Sequence, residues 1–152
     1  MKLAEALLER ANRQRRLEEL KTRMLRNARV QEGDAPAEQP LALLEEYNRV
    51  AGELLGYIRR INATNAGATF AEGMTVTDAI AERDVLRMRQ KAYSDLASAA
   101  TPTVDRYSRS EVRYTRTVEV AAIQQQADTL ARQARELDAR IQTLNWTLEL
   151  VE

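Results

Sequence analysis

The clearest hydrophobic pattern in the chain is a series of apolar residues spaced alternately by four and three positions. Its members are Ile123, Ala127, Leu130, Ala134, Leu137, Ile141, Leu144, Leu148 and Val151. This spacing is typical of one face of a long α-helix that packs against other helices, as in a coiled coil. It predicts a helix over residues 119–150.

The same periodicity predicts three further helices, over residues 2–28, 40–64 and 78–100. The apolar face of the first helix consists of Leu3, Leu7, Leu17, Leu20, Met24 and Ala28. The face of the second consists of Leu44, Tyr47, Ala51, Leu54, Ile58 and Ile61. The inner face predicted for the third consists of Ile80, Val85, Met88, Ala92, Leu96 and Ala99.

Two segments interrupt the helical pattern. Residues 68–76 hold two short stretches joined by a connector with Gly73, which is typical of a β-hairpin whose glycine has a positive φ. Residues 111–118 alternate between apolar and polar positions and predict a strand. Because an isolated strand leaves its backbone groups without partners, we expect this strand to pair with the hairpin.

These elements predict a mainly α fold in a single helical domain over residues 1–152. Its four long helices form a bundle or coiled-coil-like arrangement, and a small β-hairpin or short sheet element accompanies them.

Composition narrows the range of possible chemistry. The chain has no Cys and no His, which excludes disulfides, thiolate nucleophiles, Ser-His-Asp catalysis and imidazole metal ligands. Lys plus Arg and Asp plus Glu are equal at 23 each, so no long-range field would attract nucleic acid or an anionic membrane to the whole molecule. We therefore expect a protein without catalysis and without a cofactor.

Asp78 and Glu82 lie one turn apart on the third predicted helix. Paired carboxylates at this spacing could hold Mg²⁺ and through it a phosphate substrate. The alternative function that follows is a Mg²⁺-dependent phosphohydrolase, like the all-α nucleotide pyrophosphohydrolases, although those enzymes need a second acidic pair on a neighbouring helix. The competing interpretation is a solvated helix face with interhelical ion pairs.

A cluster of arginines and tyrosines near the second break is the other candidate site. It consists of Arg106, Tyr107, Arg109, Arg113, Tyr114 and Arg116. Guanidinium groups bind phosphates and tyrosines stack on bases, so residues 106–116 could bind a phosphate-rich ligand or nucleic acid. At zero net charge, ion pairs within the protein or between subunits are the favoured alternative.

Five stretches of the chain have a distinctive sequence. They are residues 1–7, 27–33, 77–84, 106–111 and 144–147. Together they resemble a family of small bacterial helical proteins labelled septicolysin, and the resemblance extends over essentially the whole chain. It implies a helical protein of unknown function, and the label implies a cytolysin.

From the residues themselves we expect a cytoplasmic structural or interaction protein that self-associates. Neither a secretion signal nor a transmembrane stretch is present in this sequence, so we expect no membrane partner. The helix faces, with small residues such as Gly52, Ala127 and Ala134, favour close contact between copies and predict a homo-oligomer.

Overall fold

The computed structural model describes residues 1–101 and 113–152. Within these residues lie four helices and one hairpin. The helices are α1 (Leu3–Arg26), α2 (Pro40–Gly67), α3 (Val76–Ala99) and α4 (Val120–Thr147), and the strands are β1 (Thr69–Ala71) and β2 (Met74–Thr75). The prediction of a mainly α fold with four long helices and a small hairpin is confirmed.

The chain divides into two compact units. Unit 1 comprises Met1–Val76 and Gln142–Glu152, and unit 2 comprises Thr77–Ile141. Unit 1 therefore contains α1, α2 and the hairpin, whereas unit 2 contains most of α3 and α4. That the whole chain forms a single domain stays a prediction.

The interface between α1 and α2 forms the larger apolar core of unit 1. Its buried residues are Leu17 and Leu20 of α1 and Leu43 and Val50 of α2. Met24, Tyr47, Ala51 and Leu54 pack against them. The predicted faces of both helices thus meet, with one correction. Leu44 is 42% exposed and Leu43 is buried in its place, because the contact surface of α2 is rotated by one residue.

A second core of unit 1 joins the two ends of the described chain. Leu3 and Ala6 are buried with Ile61 and Leu150, and the backbone N–H of Leu3 donates to the carbonyl of Leu148 at 3.0 Å. The N–H of Leu150 donates in turn to the carbonyl of Met1 at 2.9 Å. These two hydrogen bonds join extended backbone segments at the two ends of the described chain. Because the backbone after Thr147 is extended, α4 ends there and does not continue to the predicted residue 150.

The hairpin has the turn that was predicted. Thr69 pairs with Thr75 and Ala71 with Met74, and Gly73 in the turn has a φ of 70°. A side chain is disfavoured at this backbone angle, which accounts for the glycine.

The strand predicted over residues 111–118 is wrong where the structure describes it. Residues 113–118 form no strand, and 111–112 lie outside the described residues. Residues 113–117 are all exposed, so their alternating pattern has no buried face to hold it against a sheet.

The apolar series of α4 is buried as its spacing predicts. Ala127, Leu130, Ala134 and Ile141 are buried, and Ile123, Leu137 and Leu144 are half-buried. Val151, the last member of the series, lies beyond the helix and is 49% exposed. The four-and-three spacing therefore identified the inner face of α4 correctly up to the end of the helix.

Replacing Leu20 should test the core between α1 and α2. Leu20 is completely buried, so Leu20→Ala removes its packing and should lower the free energy of unfolding by about 2–5 kcal/mol. Leu25 on the same helix is 68% exposed, and Leu25→Ala should change it by less than about 0.5 kcal/mol. Urea denaturation followed by circular dichroism measures both. Equal effects of the two variants would contradict this core.

Glu149 provides a test based on pH. It accepts bonds from Lys2 Nζ at 2.5 Å and the Met1 amino group at 3.3 Å. The hydrogen bond from Lys2, followed by that from the amino group, lowers the pKa of Glu149. A carboxylate with a lowered pKa stabilises the fold above its ordinary pKa, and this stabilisation is lost as the pH falls through the lowered value.

Glu149→Gln should therefore lower the melting temperature slightly near neutral pH, and the difference from wild type should shrink progressively below pH 4.5, the ordinary value. Glu152→Gln removes a nearby carboxylate that takes part in none of these bonds and serves as the control. Thermal melts across the acid range make the comparison. A difference for Glu149→Gln that stayed constant with pH would contradict the assignment.

Candidate interaction surface

The arginines in the polar middle of α1 bind acidic residues within unit 1. Arg16 Nη2 lies 2.6 Å from Glu46 Oε1 of α2. Arg13 pairs with Glu9 and lies 3.5 Å from Glu53, and its guanidinium carbon is 5.1 Å from the centre of the Tyr57 ring. These contacts join α1 to α2, so they account for Arg13 and Arg16 without any external ligand.

The ion pairs of α1 change the pKa values of two acidic residues. The hydrogen bond from Arg16 lowers the pKa of Glu46. Further along α1, the hydrogen bonds from Arg23 lower the pKa of Glu38, in the connection before α2. Both carboxylates are therefore held in their charged form as partners of α1.

In unit 2, α3 contacts α4 through charged groups. Arg83 Nη1 lies 2.9 Å from Asp138 Oδ1, and Arg87 Nη2 lies 3.3 Å from the same oxygen. The Arg83 side chain is 16% exposed, and burial by itself would lower its pKa. Hydrogen bonds to Asp84 and Asp138 outweigh the burial, and the pKa of Arg83 is raised. Arg83 is therefore a charged anchor between the two helices.

The same side of α3 carries small residues. Ala79 is fully buried and Ala97 is 3% exposed, and both lie at helical spacings from Arg83 and Gln90. The buried side of α3 thus combines alanines and the ion-paired Arg83 with larger apolar residues that are half-buried, namely Ile80, Leu86 and Tyr93.

The opposite side of α3 is apolar and exposed. At 100° per residue, six residues lie on a narrow strip about 180° from the Arg83 side. This outer stripe consists of Ala81, Val85, Met88, Ala92, Leu96 and Ala99. Val85 is 53% exposed, Met88 71% and Leu96 44%, and the three alanines are exposed as well. An uninterrupted apolar strip of this kind on a surface helix is typical of an interaction site.

The inner face predicted for the third helix is therefore wrong. Ile80 is half-buried, but the five other residues assigned to that face form the outer stripe together with Ala81. The physical reason is that another side of α3 packs inward, with Ala79 and Ala97 buried and Leu86 half-buried. On that same side Arg83 and Arg87 bind Asp138 of α4. Apolar periodicity identified an apolar face of α3 but could not show whether that face is buried within the chain.

The exposed face of α2 is less continuous. Leu41, Leu44 and Leu55 are exposed there, but polar Asn48 and Arg59 interrupt them. Among the described residues, a Cβ placed on Gly52 or on Gly56 would meet nothing within 4 Å, so neither glycine serves a close approach to that part of the chain. Among the described helices, α3 therefore carries the better candidate surface.

The predicted ligand site falls partly outside the described residues. Arg106, Tyr107 and Arg109 lie in residues 102–112, outside the described part of the chain. Arg113, Tyr114 and Arg116 are exposed in irregular chain before α4, and Tyr114 is 90% exposed. A site at residues 106–116 stays a prediction.

The predicted metal ligands Asp78 and Glu82 are both exposed near the start of α3, one turn apart. Across residues 1–101 and 113–152, no group of three or more acidic residues is placed to hold a metal ion. The pair alone would leave most of the coordination to water and substrate. Metal binding by this pair stays a prediction.

These features define a helical protein whose most distinctive surface is an apolar helix face. In the part of the chain that the structure describes, no helix has an apolar stretch long enough to cross a membrane.

Comparison with known proteins places the chain in a family. Residues 10–150 match the model of a family of unknown function, DUF6847, and the chain belongs to this family. It is similar to a functionally unknown conserved protein from Corynebacterium diphtheriae whose crystal structure is known. The identity is 46% with a TM-score of 0.92, and the similarity covers 99% of each chain. No curated protein matches the chain.

The resemblance to septicolysin-labelled proteins is therefore wrong. Both the family match and the structural neighbour carry descriptions of unknown function, and neither is linked to that label. The cytolysin activity implied by the label loses its basis with it.

Proposed function

We propose that this protein is a non-catalytic structural or interaction protein of the cytoplasm that associates with a second copy of itself. The observation that supports this proposal is the outer stripe of α3, which stays exposed although it is the most continuous apolar face of that helix. Exposing it to water in an isolated chain has a free-energy cost, which burial against a partner removes.

The composition of the stripe suits a helix partner. Ala81, Ala92 and Ala99 allow two helix backbones to approach closely, while Val85 and Met88 supply larger apolar side chains between them. Methionine adapts its shape to the surface that it meets. An α-helix with the same alternation of small and large residues is a fitting partner, and a second α3 has this property.

The proposal makes a definite prediction for Met88, the most exposed large residue of the stripe. The wild-type chain should have twice the chain mass at micromolar concentration. Met88→Asp would bury an unpaired carboxylate between the copies, and should weaken the association roughly a hundredfold. Light scattering and sedimentation equilibrium measure the mass and the dissociation constant, and circular dichroism verifies that the variant is folded.

Leu41→Asp is the matched control, because Leu41 is 75% exposed on α2 and lies outside the outer stripe. It should leave the dimer intact. A monomeric wild-type chain at these concentrations would overturn the proposal of self-association. A dimer that Leu41→Asp dissociates and Met88→Asp does not would overturn the role of α3.

A further inference from the structure

We infer that two copies pair through α3 in antiparallel orientation about a twofold axis that passes between Val85 and Met88. Because this pairing presupposes the self-association proposed above, it adds the orientation and register of the contact. The observations that carry it are the charges beside the outer stripe.

The stripe has charged residues of both signs on each side. On a helical projection, Glu82 and Arg89 lie along one side, seven residues apart. Asp84 and Lys91 lie along the other side, again seven residues apart. All four are exposed, so their side chains can reach a partner helix. Each side therefore carries an acidic residue followed two turns later by a basic one. Asp84 also binds Arg83 and Lys91 also binds Asp95 within the chain, so Glu82 and Arg89 carry most of the charge argument.

An antiparallel pair matches these charges. When Val85 faces Met88 of the second copy, Ala81 faces Ala92 of that copy, so the apolar layers fit. In this register Glu82 comes within about 3 Å along the helix axis of Arg89 of the second copy. Asp84 comes equally close to Lys91 of the second copy. The twofold axis repeats both contacts, so the Glu82–Arg89 pair forms twice. The Asp84–Lys91 contact also occurs twice and is weaker, because its members share their charge with Arg83 and Asp95 of their own chain.

Other arrangements match less well. Shifting the antiparallel register by seven residues in one direction brings Arg89 beside Arg89 of the second copy and Lys91 beside its equivalent. Shifting it in the other direction does the same for Glu82 and Asp84. In a parallel pair, the side of one helix that carries Glu82 and Arg89 meets the side of the other that carries Asp84 and Lys91. Asp84 then lies beside Arg89 of the second copy, but no other acidic residue meets a basic one. The unshifted antiparallel pair is therefore favoured by the charges.

The ends of this pair carry one unfavourable contact. Asp78 lies opposite Asp95 of the second copy, at the two outer ends of the stripe. Lys91 lies 2.8 Å from Asp95 within the same chain and offsets its charge. Both aspartates are exposed, where water screens the repulsion. This contact therefore limits the affinity without changing the preferred register.

Charge reversal tests the register directly. Glu82→Arg and Arg89→Glu should each weaken the dimer about tenfold, because each places like charges together twice across the twofold axis. The double variant, Glu82→Arg with Arg89→Glu, restores opposite charges and should return to within about threefold of wild type. Sedimentation equilibrium at low salt measures the dissociation constants, and circular dichroism verifies that each variant is folded.

Arg132→Glu is the control, because it makes the same charge change as Arg89→Glu at an exposed position of α4. It should leave the dissociation constant unchanged within about twofold. If the single reversals have no effect, or if the double variant fails to restore the dimer, the antiparallel pairing is wrong. Self-association through the outer stripe is then tested by Met88→Asp alone. A monomeric wild-type chain would overturn both.

Discussion

A helix can bury one face against one neighbour, and α3 carries two faces that are suited to contact. Its inner face is already used, because Ala79 and Ala97 are buried there and Arg83 binds Asp138 of α4. The apolar face points the other way and is exposed. In this orientation the outer stripe is exposed within the described part of the chain and is available to a partner. The proposed self-association depends on this constraint.

Sequence periodicity was informative where a helix has a single apolar face. The series in α4 is buried at Ala127, Leu130, Ala134 and Ile141, and the glycine of the hairpin has the positive φ expected of it. In α2 the same reasoning was off by one residue at Leu44, because neighbouring leucines made two rotations of the helix nearly equivalent. In α3 the same reasoning identified the apolar face but assigned it to the protein interior, whereas this face is exposed.

The error in α3 has a physical cause. Hydrophobic spacing records that a face avoids water, and it holds no information on whether the covering surface comes from the same chain. The signal that could have found the correct orientation is Asp138 on α4, at a position beside the apolar series and able to bind Arg83. The candidate ligand sites were harder to judge, because exposed charged residues such as Glu82 and Arg113 fit several roles equally well from sequence alone.

The distance between two equivalent points on paired α3 helices tests this account most directly. The chain has no cysteine, so Ser98→Cys, at an exposed position of α3, provides a single site for a spin label. The antiparallel pair places the two labels about 35 Å apart along the helix axis. Pulsed electron paramagnetic resonance should therefore give a distance distribution near 35–40 Å. A distribution below about 20 Å would indicate parallel helices, and the absence of dipolar coupling would indicate no pair. Either result would contradict the account.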